Sequence, residues 1–212
     1  MTKRCEGRPW SPEWLQNRVG HATASRMKDV MAELKSNKGE ATARRNYRIQ
    51  LVAERLTNTS QGNTYVSPQM QWGIEQESFA RAAYEIQSDC MTDMVGFGLH
   101  ETIEHYGGSP DGLVGKHGGV ELKCPDTSTH VTWILAGVVP EEHQPQMYCL
   151  MDVWERDWWD FVSYDSRVPK NLQAFIVRLP RDEMKLAALR DGVIKFNSEV
   201  DALESKLREW KG

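Results

Sequence analysis

Ser109-Pro110-Asp111-Gly112-Leu113-Val114-Gly115 leads through Lys116-His117-Gly118-Gly119 into Val120-Glu121-Leu122-Lys123-Cys124-Pro125. Two short apolar runs, Leu113-Val114 and Val120 to Cys124, flank a glycine-rich turn, which predicts a β-hairpin. A hairpin lays its strands side by side. Asp111 at the head of the first strand and Glu121 in the second therefore bring two carboxylates to one site. Lys123 follows Glu121 by two residues, and side chains alternate along a strand, so the lysine joins the acids on the same face.

That constellation has a chemical logic. Carboxylate oxygens are hard ligands suited to Mg²⁺ or Mn²⁺, and the natural substrate of such a site is a phosphodiester. The cation polarises the scissile phosphate and acidifies a bound water. Two ions roughly 3.5–4 Å apart steady both the attacking and the leaving oxygen. The lysine orients or activates the water. Glu-x-Lys alone reads more readily as a solvated pair on a surface hairpin, and it is the longer pattern that favours a site.

Composition bounds the rest. With 212 residues and 40% apolar content, the chain can bury one good core, so a single α/β domain over residues 1–212 is expected. The formal charge of −4 is unusual for a protein that binds polyphosphate, so positive charge must be local. Lys28, Lys35, Lys38, Arg44, Arg45 and Arg48 gather in the N-terminal quarter, as an electrostatic funnel or as a solvated helix face. Cys5, Cys90, Cys124 and Cys149 form no Cys-x-x-Cys pair, which argues against zinc and iron–sulfur sites. No signal peptide and no span-length apolar run is present, so a cytoplasmic location with reduced thiols is expected.

From the start of the chain, Ser11-Pro12-Glu13 has the form of a helix N-terminus, with a helix running to about Asn17. Arg18 to Ser25 follows, and a second helix starts near Thr23 or Ala24. Its first-turn amides and the Ser25 hydroxyl, beside Arg18, suit a phosphate dianion; the same residues also read as an ordinary cap with a surface arginine. A longer helix covers Ala41 to Leu56, with Arg44, Arg45 and Arg48 within one turn of each other. Gln61 to Tyr65 is a loop. Ser67-Pro68 opens a helix to about Ile86 with Met70, Ile74, Phe79, Ala83 and Ile86 as core candidates and Glu75 and Glu77 in its middle.

Met91 to Leu99 reads as a strand entering the hairpin. Thr127 to Ala136 reads as a short helix, and Pro140 begins the next, on which Gln144 and Tyr148 share a face. Asp157 to Tyr164 and Gln173 to Leu179 read as strands. Trp154, Trp158 and Trp159 read as core. Arg181 to Trp210 is a charged amphipathic helix, or a pair, expected to pack across the sheet.

In order, a mid-helix Glu, an Asp, a Glu-x-Lys and a Gln-x-x-x-Tyr resemble the motif set of the restriction-endonuclease-like, PD-(D/E)xK superfamily. Within it the chain is most similar to the phage-type alkaline exonucleases, the YqaJ-like viral recombinases. Ser109-Pro110-Asp111-Gly112-Leu113 with Glu121-Leu122-Lys123-Cys124-Pro125 matches that family's central signature. Arg18-x-Gly20-x-x-Thr23-Ala24-Ser25 resembles its phosphate-binding segment, Trp72-Gly73-x-x-x-Glu77 its acidic helix, and Gln144-x-x-x-Tyr148 its late motif.

The resemblance implies a restriction-endonuclease-like core, a central mixed β-sheet flanked by helices. It makes Asp111, Glu121, the Leu122 carbonyl and Glu77 (with Glu75 close by) metal ligands, for two Mg²⁺ ions with Mn²⁺ as a substitute. Lys123 positions the attacking water and Gln144 holds the water or the scissile strand. Arg18, Ser25 and Ser109 resemble a pocket for a 5′-terminal phosphate, and Arg44, Arg45, Arg48 and Tyr148 are taken as DNA-binding. It further implies a homotrimer ring around linear double-stranded DNA, digestion from 5′ to 3′, and a single-strand annealing protein as partner. A ring whose outside stays acidic accommodates the negative total charge. The alternatives are another nuclease of the same superfamily, such as an endonuclease, or a non-catalytic DNA-binding protein on the same fold.

Overall fold

The computed structural model describes residues 2–5, 7, 11–34, 39–62 and 66–212. Lys35 and Lys38, and the end of the expected loop at 63–65, lie outside the described residues. The first two fifths of the chain hold β1 (Lys3–Arg4), α1 (Pro12–Gln16), β2 (Ala22–Thr23), α2 (Met27–Val30), α3 (Thr42–Thr57) and α4 (Pro68–Ser88). The strands β3 (Thr92–Asp93), β4 (Gly98–Leu99), β5 (Tyr106–Gly108), β6 (Gly112–Val114) and β7 (Gly118–Lys123) follow. After them come α5 (Thr127–Ala136), α6 (Gln144–Val153), β8 (Trp158–Tyr164), β9 (Ala174–Pro180) and α7 (Glu183–Arg208).

A five-stranded sheet in the order β3-β6-β7-β8-β9 forms the centre. Only β7 and β8 run parallel, so the sheet is mixed and helices flank it, as expected for this fold class. The β6–β7 hairpin pairs Gly112 with Val120 and Val114 with Gly118. Gly115 turns the chain at φ +54°, where a Cβ is strained. Gly118 and Gly119 lie against the indoles of Trp158 and Trp159 on β8, in the space any Cβ would need. These two glycines let the hairpin close onto β8.

Alternation along β7 splits its side chains between two environments. Val120 and Leu122 join Val114, Val162 and Tyr164 beneath α4, which contributes Ala80 and Tyr84. Glu121 and Lys123 point to the opposite face, covered by α5 and α6. There Leu113, Trp159 and Phe161 belong to the main core with Met147, Leu150 and Met151 of α6. A second sheet, β1-β4-β5-β2, pairs β5 with β2 in parallel, which sets the Arg18–Ser25 segment beside the strand that leads directly into β6.

Several expectations change. On α4, Phe79 and Ile86 are 59% and 83% exposed, and Met70 and Ile74 are exposed too, because the face on the sheet is the Ala80–Tyr84 stripe. Met91 to Leu99 is two short strands in different sheets, β3 and β4, joined by an irregular stretch with Phe97 buried. The C-terminal segment is one helix, α7, and it packs on α3 and α6 rather than across the sheet. Trp154 and Trp159 are core, while Trp158 is half-buried under the Arg178 guanidinium, 3.5 Å from its ring centroid.

Candidate active site

The two hairpin acids and the lysine line one open cleft of about 640 Å³. Asp111 heads β6, and its Oδ2 accepts the Leu122 amide of β7 at 2.7 Å, which ties the first acid to the strand bearing the second. Glu121 is 1% exposed. Its Oε1 accepts from Lys123 Nζ at 2.5 Å and from Gln146 Nε2 of α6 at 2.6 Å. Its Oε2 is buried with no partner among the described residues.

The electrostatics follow from that burial. Desolvation pushes the Glu121 carboxyl up to about 7; Lys123 opposes the shift and Asp111 adds to it. Desolvation also raises Asp111, against the pull of Lys123, the Leu122 amide and Arg81. Burial alone lowers Lys123, but Glu121 and Asp111 outweigh it and keep the ammonium above its usual value.

The structure separates the two candidate acids of α4. Glu77 lines the cleft, and desolvation and the nearby Asp111 raise its pKa. Its Oε1 accepts from Arg81 Nη2 at 3.1 Å, and Arg81 Nη1 donates to the Asp111 carbonyl at 2.5 Å. Glu75 is exposed and accepts from Gln71 instead. Among the described residues no three His, Cys, Asp or Glu side chains gather tightly enough to hold a metal ion by themselves. The donor set that fits a hard divalent cation is the Asp111–Glu121 pair. A buried carboxylate oxygen without a proton donor, raised in pKa by desolvation, is the environment a cation relieves.

Arg18, Ser25 and Ser109 line the same cleft. Trp14 Nε1 donates to Ser109 Oγ at 2.8 Å. The Arg18 guanidinium lies over the Trp14 ring, 4.3 Å from its centroid, and its Nη2 donates to Ser25 Oγ at 3.4 Å. Among the described residues Arg18 has no carboxylate in hydrogen-bonding contact, and burial lowers its pKa against the influence of Tyr47 and Glu54. A desolvated guanidinium flanked by two hydroxyls is a receptor for an oxyanion. Trp133 and His143 line the wall near Lys123; His143 stacks on Phe161, and burial followed by the charge of Lys123 lowers its pKa to about 4.

Other expected site residues lie elsewhere. Gln144, at the start of α6, donates to the Val139 carbonyl at 3.1 Å and does not line the cleft. Gln146, two residues on, takes the place beside Glu121. Tyr148 is buried in the main core. Arg44 and Arg48 are held by Glu40 of the preceding loop and Glu199 of α7, so their charge is spent inside the fold; Arg45 is exposed. Reasoning from motifs missed Gln146, Arg81 and Trp14. The Glu77–Arg81 spacing of four on one helix was the available signal for Arg81. For Gln146 and Trp14 only the fold supplies the proximity.

A model of the YqaJ-like viral recombinase domain matches residues 13–157. The alkaline exonuclease LHK-Exo from Laribacter hongkongensis is 40% identical over 93% of this chain and 96% of its own, with a TM-score of 0.86. Its structure in complex with dAMP gives 39% identity over the same shares and the same TM-score. A phage related exonuclease from Haemophilus somnus shares the fold at 17% identity and a TM-score of 0.67, over 88% of this chain and 97% of that one. No curated protein matches. With Asp111, Glu121 and Lys123 in one cleft and 93% of the chain superposing on an alkaline exonuclease, the chain is a nuclease that belongs to the YqaJ-like viral recombinase family.

Proposed function

We propose that this nuclease, acting as one domain, is a Mg²⁺-dependent exonuclease that degrades one strand of linear duplex DNA from 5′ to 3′. It releases 5′-mononucleotides and leaves a 3′ single strand for an annealing protein in recombination. The observation that carries this reading is that Ser109 of the oxyanion corner and Asp111 of the acid pair are two residues apart in one cleft. A terminal phosphate held by Arg18, Ser25 and Ser109 sets the adjoining phosphodiester beside Asp111 and Glu121.

Asp111 and Glu121 would hold the divalent cation, with the Leu122 carbonyl and Glu77 as further donors and Mn²⁺ as a substitute. When bound, it supplies Lewis-acid polarisation of the phosphate and acidifies water. Lys123 orients the attacking water through its N–H groups, and Gln146 keeps Glu121 Oε1 in place. The water oxygen bonds to phosphorus, the bond from phosphorus to the 3′ oxygen breaks, and that oxygen takes a proton. The shortened strand again ends in a 5′-phosphate, so each cycle regenerates the end that the Arg18 corner binds.

The proposal extends to a homotrimer ring around the duplex, and the uncovered apolar side chains of Phe79, Ile86 and Leu135 are compatible with burial between copies. Such a ring makes digestion processive by keeping the end at high local concentration. No described helix is long and apolar enough to cross a membrane, and action on DNA in the cytoplasm is part of the proposal. The test is a linear duplex labelled at each 5′ and 3′ end, with Mg²⁺, beside a covalently closed circle. Mononucleotides from the 5′ ends with the circle intact support the proposal. Cutting of the circle points to an endonuclease, and no cutting of either substrate with Mg²⁺ or Mn²⁺ points to a DNA-binding role.

A further inference from the structure

The segment bearing Arg18 and Ser25 is held by the backbone of the turn between them, and α3 supplies the hold. Gly20 sits at φ +74°, with Arg55 Cγ 2.7 Å from where a Cβ would be. Its N–H donates to Glu54 Oε2 at 2.9 Å, and its carbonyl accepts from Arg55 Nε at 2.9 Å. Both polar groups of one residue are thus gripped by two consecutive residues of a helix thirty-odd positions away. Tyr47, one face with Gln50 and Glu54 at i, i+3 and i+7, continues the grip: its hydroxyl donates to the His21 carbonyl at 3.2 Å and accepts the Thr23 amide at 3.0 Å.

Glu54 is 4% exposed and receives three donors: the Gly20 amide, Gln50 Nε2 at 2.9 Å and the Gln61 amide at 3.1 Å. Gln50 cannot turn its amide without giving up the Arg26 Nη1 bond to its Oε1 at 3.1 Å. A carboxylate is therefore required at 54, because an amide sets a donor against a donor. Arg55 is in turn anchored to Asp201 of α7 at 2.5 Å.

We propose that Glu54 and Arg55 are positioning residues for recognition of the 5′-terminal phosphate, templating the turn that fixes Arg18 relative to Ser25. This rests on the reading of the Arg18 corner as the end-phosphate pocket. It gives α3 a role different from a DNA-tracking basic face: its buried face builds the pocket, and its arginines at 44 and 48 pin it to α7.

The experiment compares kcat/KM on two duplexes that differ only in a 5′-phosphate or a 5′-hydroxyl. For Glu54→Gln the phosphate-to-hydroxyl ratio should fall about tenfold, the equivalent of one charge-assisted hydrogen bond. The loss should appear in KM for phosphorylated ends rather than in kcat. In the double variant Gln50→Glu/Glu54→Gln the new amide at 54 can donate to the new carboxylate at 50 while its oxygen accepts the Gly20 amide, leaving only the Gln61 amide unmet, so part of the ratio should return. Arg55→Lys, which keeps the charge but loses the Nε donor to Gly20, provides an independent variant if Glu54→Gln does not fold, and should lower the same ratio. If the wild-type enzyme discriminates between the ends and folded Glu54→Gln or Arg55→Lys keeps the ratio within twofold, the positioning role is overturned while the pocket stands. If the wild-type enzyme treats both ends alike, the pocket reading fails and the positioning role with it.

Discussion

Gln146 Nε2 lies 2.6 Å from Glu121 Oε1, the oxygen that also accepts from Lys123 Nζ. Two donors on one oxygen fix the carboxylate and leave the buried Oε2 without a partner. Gln146→Ala should therefore reduce cleavage roughly 10–100-fold, the usual cost of removing a residue that orients a metal ligand. Gln144→Ala should cost only about 1 kcal/mol of stability, through the lost Val139 contact. Steady-state rates on one duplex, with urea melts, separate the two; a greater loss of activity at Gln144 would reverse the assignment.

Asp111→Ala or Glu121→Ala should abolish cleavage at every Mg²⁺ concentration and remove the heat of Mn²⁺ binding in a calorimetric titration of the DNA-free protein. Circular dichroism should show the fold retained. Lys123→Met, which keeps the packed stem, should lower the rate roughly 10²–10⁴-fold if the ammonium orients the water. Activity within tenfold of wild type in either acid variant would sink the metal assignment.

Arg18→Ala should erase any preference for 5′-phosphorylated over 5′-hydroxyl ends. The guanidinium meets the Ser25 hydroxyl and the Trp14 and Phe97 rings, and the other cations among the described residues of the cleft, Arg81 and Lys123, are engaged with Glu77 and Glu121, so its removal takes away the charge that would meet the phosphate. The check is competition between the two ends in one tube; persistence of the preference would place the pocket elsewhere.

Where the determinants are local, the sequence was readable. The β6–β7 hairpin follows from its apolar runs and Gly115, and the serine caps at Ser11 and Ser67 accept the Trp14 and Met70 amides as such caps do. The placement of Glu121 and Lys123 together is a consequence of the strand repeat alone. Where the determinant was the partner surface, the reading failed. Apolar spacing on α4 identified Phe79 and Ile86 without revealing that the sheet takes Ala80 and Tyr84 instead. The basic turn of α3 carried no sign that Glu199, some 150 positions away in the chain, would neutralise it. Gln146 and Gln144 differ by a rotation of about half a turn on α6, which only the position of Glu121 distinguishes.

That neutralisation makes a prediction about DNA binding. Arg44 and Arg48 share Glu40 and Glu199 in a partly buried network, so Arg44→Ala should destabilise the fold and leave the salt dependence of DNA binding unchanged. Arg45→Ala, at an exposed position, should leave stability within about 0.5 kcal/mol. If Arg45 meets a phosphate, its loss lowers the slope of log K against log salt by about 1. Fluorescence anisotropy over a salt series reads both; a slope change in Arg44→Ala would show that the network opens on DNA.

His21 and His105 set their Nδ1 atoms 3.4 Å apart beside Arg55. Burial, then His105 and Arg55, lower the His21 pKa to about 4, and burial followed by Arg55 lowers His105. The folded state therefore refuses protons that the unfolded chain, titrating near 6.5, accepts. The contribution of this pair to stability should be level above pH 6.5 and fall as the pH drops from 6.5 towards 4, while Glu121, raised to about 7, contributes in the opposite sense between about 4.5 and 7 in wild type and variant alike. His21→Asn should flatten that decline by at most ~1.4 kcal/mol per pH unit, and by less to the extent that solvent reaches the ring. Urea unfolding at pH 7.5, 6 and 5 measures it. An unaltered slope in the variant would move the acid sensitivity to other buried groups, His143 foremost, whose pKa is held down to about 4 in the same way.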